Sequence, residues 1–310
     1  MKIWLPEELY FMRNGNLPQK KNESSFTDKT VVISGSTSGV GKATLFEFVR
    51  NGANVVMVAR NESKAEQVKQ EVFKKYNREI DLIIADFSDF DQVRKAANDI
   101  LENYNTIDLL INSVGIHTTK RLYNKDGIEM SFCVNHLSVF LFTVLLIPRL
   151  KENPSSRIIQ VNSEGHRVNG LRIKDVNFKR RLYTGLRGYG QSKVAQLFTV
   201  YELAKRLEDS GVTINAMHPG AVKSNIGGNN GFLYRFWAKY VLVHTLKDPI
   251  ISAESIYYLG TSQEMKGISG KFYHLTILEK PAWHALKVKK QQPIWELSLK
   301  MVGLPIDWEV

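Results

Sequence analysis

The chain has 310 residues, 43% of them hydrophobic, and its 42 Lys+Arg against 31 Asp+Glu leave a formal charge of +11. That length suits one large α/β domain or two small ones and buries a core without covalent staples. The single cysteine, Cys133, excludes intrachain disulfides and every multi-thiolate zinc or iron–sulfur site, and no metal centre is expected. Met1–Glu8 lacks the basic-then-apolar order of a secretory signal. The longest apolar stretch, Val139–Pro148 with Thr143 inside it, falls well short of the ~20 residues that cross a bilayer. The expected location is the reducing cytoplasm.

Residues 1–28 are charge-balanced, carry loop signals at Asn14–Asn16 and Pro18, and form an N-terminal extension. From there short Val/Ile-rich runs alternate with helical segments. Strands are expected at Thr30–Ser34, Asn54–Ala59, Ile80–Ala85, Ile107–Asn112, Arg157–Asn162 and Val212–Met217, and near Gly270–Leu275. Their continuous apolarity marks strands covered on both faces. Helices are expected at 62–76, 89–103, 126–150, 188–210 and 249–260. The order predicts a single Rossmann-type, doubly wound α/β domain over residues 29–278, with a predominantly parallel sheet of about seven strands flanked by helices. A tail, 279–310, carries short helices at Trp283–Val288 and Ile294–Leu299 separated by Pro293.

The first strand runs into Ser34-Gly35-Ser36-Thr37-Ser38-Gly39-Val40-Gly41-Lys42 and then a helix. Glycines in such a turn let backbone amides approach a pyrophosphate, and the helix N-terminus attracts its charge. A P-loop is disfavoured, because Ser36 replaces its first glycine and Ala43 its magnesium-binding hydroxyl. A Gly-x-Ser-x-Gly hydrolase is disfavoured too, since Thr37 occupies the nucleophile position. The second strand ends at Ala59, which offers no carboxylate to repel a ribose 2′-phosphate, and Arg60 can pair with one. NADP(H) is therefore favoured over NAD(H).

Gly188-Tyr189-Gly190-Gln191-Ser192-Lys193 opens the helix after the fifth strand, and the spacing of four sets Lys193 on the face of Tyr189. A neighbouring cation stabilises phenolate, which fits the phenol for proton exchange. Tyr201 and Lys205 repeat the spacing, but they lie roughly 18 Å further along the helix from the ligand-binding strand ends and read as an amphipathic helix surface. Ser163, just after the fifth strand, faces the same crevice as Tyr189 and can hold a substrate oxygen. His166 reads as a loop residue, not as a partner to Ser163.

Together these residues resemble the short-chain dehydrogenases/reductases over about residues 28–275. Asn135-His136-Leu137-Ser138 and the long segment from Ser163 to Tyr189 resemble the retinol dehydrogenase-like and protochlorophyllide reductase-like branch. The resemblance implies that Gly35, Ser38, Gly39, Val40 and Gly41 form the phosphate turn, that Asp86 contacts the adenine, and that Asn112 and Gly115 support the cofactor at the fourth strand. It implies a catalytic set of Ser163, Tyr189 and Lys193, with Asn135 joining a proton relay through water to the lysine, which also holds the nicotinamide ribose. Pro219, Gly220, Val222 and Ser224 would shape the nicotinamide pocket. Ser34, Ser113-Val114 and Ser224 depart from the usual family residues without removing a catalytic group.

Asn225–Leu246, glycine-rich and then aromatic, suits either a mobile lid over an apolar ligand or a helix packed on the core or on another subunit. The expected activity is hydride transfer between NADP(H) and a hydrophobic carbonyl or alcohol, the alternative being a non-catalytic nucleotide-binding regulator or scaffold of the same fold. Ten basic and two acidic residues in 165–206 put +8 of the +11 there. The excess suits peripheral contact with an anionic membrane, and nucleic acid is disfavoured for want of any stacking pattern. A homodimer or homotetramer is the expected range of assembly.

Overall fold

The computed structural model describes residues 13–220, 222 and 248–310. Seven parallel strands, β1 (Thr30–Ser34), β2 (Asn54–Ala59), β3 (Asp81–Ile84), β4 (Leu109–Asn112), β5 (Arg157–Val161), β6 (Thr213–His218) and β7 (Phe272–His274), build the sheet. An eighth, β8 (Ile277–Leu278), returns antiparallel to β7. The order is β3-β2-β1-β4-β5-β6-β7-β8, so the chain reverses direction across the sheet between β1 and β4. Ligands of such sheets bind at that switch point, beyond the carboxyl ends of the strands. The two residues of β8 are too few to show a period, which is why the sequence suggested about seven strands.

Adjacent strand residues feed opposite cores, because successive side chains point to opposite faces. Val32, Leu110 and Ile158 face α3 (Phe90–Asn103), α4 (Met130–Lys151) and α5 (Gly185–Arg206). Val31, Ile33, Leu109, Ile111 and Ile159 face the layer of α1 (Gly39–Arg50), α2 (Glu62–Tyr76) and α6 (Pro249–Thr261). Helix α4 is long and apolar enough to cross a membrane by composition, but 89% of its most apolar window is buried inside the protein. Its hydropathy is that of a core helix wrapped on every side.

The tail is part of this core. Helix α7 (Gln291–Met301) buries Ile294, Trp295 and Leu299 with the α4–α5 layer. Pro293 does not separate two helices. It lies in the first turn of α7, where a backbone N–H has no intrahelical acceptor to lose. Tyr201 is likewise not on an exposed helix surface: it packs against the same core with its hydroxyl buried, and burial pushes its phenol pKa up. Residues 13–28 cross the far edge of the sheet, where Lys20 N–H donates to Thr276 Oγ1 at 2.9 Å and Tyr257 Oη donates to the Ser24 carbonyl at 2.5 Å.

Candidate active site

The turn between β1 and α1 is built from glycines that no other residue could replace. Gly35 and Gly39 have φ of +75° and +55°, and a Cβ on Gly41 would lie 2.3 Å from the Gly35 carbonyl oxygen. Ser38 is the N-cap of α1 yet makes no capping bond with its side chain. The first-turn amides, from Gly39 through buried Val40 to Gly41, thus remain available to an anion, and the helix dipole adds to the attraction. A dinucleotide pyrophosphate fits this cradle. Arg60 is exposed beside buried Ala59 and forms no ion pair among the described residues.

Asp86 caps its own turn, accepting from Ser88 N–H at 2.8 Å. Asn112 is fully buried and donates to Thr143 Oγ1 at 2.8 Å, tying the end of β4 to α4. Gly115 follows in the loop that Gly35 touches: a Cβ on Gly35 would stand 2.7 Å from Val114 N. Across the sheet, Gly220 has φ +80° and Ser252 Oγ donates to the Pro219 carbonyl at 2.6 Å. Val222 is half-buried against the core. Ser224 and the expected lid, Asn225–Leu246, lie outside the described residues.

Ser163 caps the short 3-10 turn Glu164–Arg167, its Oγ accepting from Gly165 N–H at 3.0 Å. Gly165 then passes so close to Tyr189 that a Cβ there would fall 2.6 Å from Tyr189 Cε1 and 3.4 Å from Ser163 Oγ. This glycine brings the serine turn against the phenol ring. On the same helix face, Lys193 Nζ lies 5.7 Å from the Tyr189 ring centroid. His117, from the loop after β4, meets the ring edge-on with centroids 5.6 Å apart, and burial lowers its imidazole pKa. Neither Gly165 nor His117 stood out in the sequence; a glycine two residues after Ser163 was the only available sign of the first.

Lys193 is buried, and desolvation brings its ammonium pKa down to about 7. Its Nζ donates to the Val161 carbonyl at 3.1 Å and to Gln196 Oε1 at 3.0 Å. Gln196 in turn donates through Nε2 to the Asn135 backbone carbonyl. Gln196 thus links the lysine to Asn135 through its side-chain amide. Asn135 sits in a π-helical stretch of α4, Cys133–Leu137, and pins the loop after β4 with both side-chain atoms. Its Oδ1 accepts from Ile116 N–H at 2.7 Å, while Nδ2 donates to the Ile116 carbonyl at 2.9 Å and to Ser192 Oγ at 3.0 Å.

His166 is buried, not a loose loop residue. Its Nε2 accepts from Ala282 N–H at 3.1 Å, so the proton rests on Nδ1, which donates to the Ser163 backbone carbonyl at 2.8 Å. It steadies the serine turn from below and has no path to the hydroxyl.

The short chain dehydrogenase family matches residues 29–231 of the chain. Human retinol dehydrogenase 13 is 31% identical over 299 residues, covering 95% of this chain and 89% of its own. Mouse retinol dehydrogenase 14 is 33% identical over 289 residues, covering 89% and 86%. An uncharacterised protein from Mycobacterium paratuberculosis superposes with a TM-score of 0.70 at 25% identity, over 94% of this chain and all of that one. A short-chain dehydrogenase from Shigella flexneri 2a, solved with NADP, superposes at 0.65 and 17% identity, over 82% and 99%. With the glycine turn, the sheet order and the Tyr189–Lys193 helix in place, the chain belongs to the short-chain dehydrogenase family of oxidoreductases, in its retinol dehydrogenase-like branch.

Proposed function

We propose that the protein transfers hydride reversibly between NADP(H) and a hydrophobic carbonyl or secondary alcohol, with Ser163, Tyr189 and Lys193 as the reacting set and Asn135 holding their surroundings. The observation that carries this reading is the contact through Gly165, which sets Ser163 Oγ and the Tyr189 ring on one wall with Lys193 beside them. The bound dinucleotide supplies the nicotinamide that gives or takes the hydride. Ser163 Oγ holds the substrate oxygen, and Tyr189 gives that oxygen a proton in reduction or removes it in oxidation. Lys193, charged when the anionic cofactor is near, favours the phenolate and steadies the nicotinamide ribose. Exposed Arg60 and the absence of an acid at Ala59 support the 2′-phosphate form. The names of the curated relatives make retinal and retinol the first substrates to try.

The protein is placed in the cytoplasm under this reading, as a homodimer or homotetramer in contact with an anionic membrane. Within 165–206, Arg172, Lys174, Lys179, Arg180 and Arg187 are exposed, as are the apolar Val168, Leu182 and Leu186. Arg167, Arg181 and Arg206 are in ion pairs, and Lys193 is buried. Salt-sensitive co-sedimentation with phosphatidylserine vesicles tests the contact.

The central test follows NADPH and NADH oxidation separately with retinal and a panel of apolar aldehydes and ketones. Turnover with NADPH is expected, and Tyr189→Phe should abolish it while cofactor binding persists. Turnover retained by Tyr189→Phe overturns the assignment, and cofactor binding without turnover in the wild type favours a regulator or scaffold.

A further inference from the structure

Away from the reacting set, three adjacent strand ends bring a second cluster together. Glu164 follows β5, while His218 and His274 end β6 and β7 and are paired directly in the sheet register. One carboxylate oxygen and one nitrogen from each imidazole lie within 4.8 Å of one another, and the two rings stand edge-on with centroids 4.8 Å apart. Glu164 Oε1, His218 Nδ1 and His274 Nδ1 are all buried without a hydrogen-bond partner among the described residues. Each such atom costs about 1–3 kcal/mol unless something serves it. Three side chains that each carry such an atom and gather at one place are the mark of an occupant.

Arg167, Glu279 and Asn14 flank the cluster. Arg167 pairs with Glu164 and, at 2.7 Å, with Glu279, whose side chain is wholly buried. Two carboxylates thus share that guanidinium. Asn14 Nδ2 donates to Glu279 Oε2 at 2.7 Å, and the same oxygen lies 3.5 Å from His274 Nδ1. Two imidazoles and a carboxylate so placed present nitrogen and oxygen lone pairs to one place, which a cation with affinity for nitrogen can accept.

We propose that Glu164, His218 and His274 form a binding site for a divalent transition-metal ion of the zinc class, with Glu279 and Arg167 balancing its charge from outside. Two imidazoles and a carboxylate suit zinc, whereas magnesium and calcium prefer oxygen throughout. Tetrahedral coordination asks for ligand atoms roughly 3.3 Å apart, a closure within reach of small side-chain rotations. The ion ties the ends of β5, β6 and β7 together one residue from Ser163 and one from Pro219. It acts as a brace beneath the substrate end of the cleft. The ligands are 54 and 56 residues apart in the chain, which is why no metal-binding spacing was visible.

The test uses the full-length protein stripped with chelator, titrated with zinc by calorimetry and with cobalt by visible absorption. Saturable binding of one ion per chain is expected, with the ligand-field bands of a low-coordinate cobalt centre. Glu164→Gln and His274→Gln should each weaken zinc binding by at least about tenfold, and the double variant should lose it. Tyr189→Phe should bind zinc as the wild type does, so a failure of the catalytic reading leaves this measurement untouched. Absence of saturable binding by the wild type, or full binding by a double variant that circular dichroism shows to be folded, overturns the proposal.

Discussion

Gln196 accepts from the Lys193 ammonium at 3.0 Å with its side-chain oxygen and donates to the Asn135 backbone carbonyl with its nitrogen. One residue thus bridges the lysine to helix α4. Asn162 Nδ2 holds it in that rotamer, donating to the same oxygen at 3.0 Å. Gln196→Leu should strip the lysine of an acceptor and orphan a buried carbonyl. We expect a stability loss of about 1–3 kcal/mol in urea unfolding and roughly tenfold lower kcat. Gln196→Glu should raise the Lys193 pKa, and any alkaline limb that Lys193 governs in the kcat/KM profile should move to higher pH.

Cofactor choice is expected to rest on Arg60. Because the side chain is exposed, its pairing with a 2′-phosphate is screened by solvent, and Arg60→Ala should raise KM for NADPH by about tenfold. KM for NADH should change little. An equal change for both cofactors would assign the arginine to general charge attraction.

His136 makes the protein acid-sensitive. Ser298 Oγ donates to the Ile294 carbonyl at 2.6 Å, so the 2.8 Å contact with His136 Nε2 is a bond from the imidazole N–H. The ring is enclosed by Phe132 and Phe140, and burial lowers its pKa to about 3. Unfolded, the group titrates near 6.5, so between those values the unfolded chain binds a proton that the native chain does not. Stability is unaffected above pH 6.5 and falls as pH drops toward 3, by up to about 1.4 kcal/mol per unit. In urea unfolding from pH 7 to 4.5, His136→Gln, which keeps a donor for Ser298, should lose less stability than the wild type.

Tail residues should behave as core. Trp295 is fully buried, meets Phe140 at 5.0 Å between centroids, and is covered by the Arg206 guanidinium at 4.4 Å. Trp295→Ala should cost about 3–5 kcal/mol by urea denaturation, and ending the chain before Gln291 should prevent folding. A stable, active truncation would show that α7 is dispensable.

Where local pattern alone decides structure, the sequence was read correctly: continuous apolar runs became the parallel strands, and Glu62–Tyr76 and Pro249–Thr261 fell close to their expected bounds. Pro293 misled because a proline in a first turn and a proline between helices look alike without the helix axis. Tyr201 misled because what covers it comes from other elements of the fold. The phosphate turn was legible because conformation demands glycine there. Gly165, His117, Gln196 and the Glu164–His218–His274 cluster act through contacts between distant segments, and no short-range spacing records them.

The π-helical stretch of α4 has a consequence for how the chain counts. Ser138 N–H bonds to the Cys133 carbonyl, five residues back, so this turn holds one residue more than an α-turn. Removing any residue between Cys133 and Leu137 would restore even winding. Because the wide turn absorbs that one surplus residue, the segments on either side, Met130–Phe132 and Ser138–Lys151, would keep their faces toward the core. Only the side chains of the turn itself would be re-aimed, and Asn135 would lose its hold on Ile116. A single-codon deletion here is therefore a local re-aiming, one that disconnects the loop of the cleft from its scaffold while leaving the helix itself better formed.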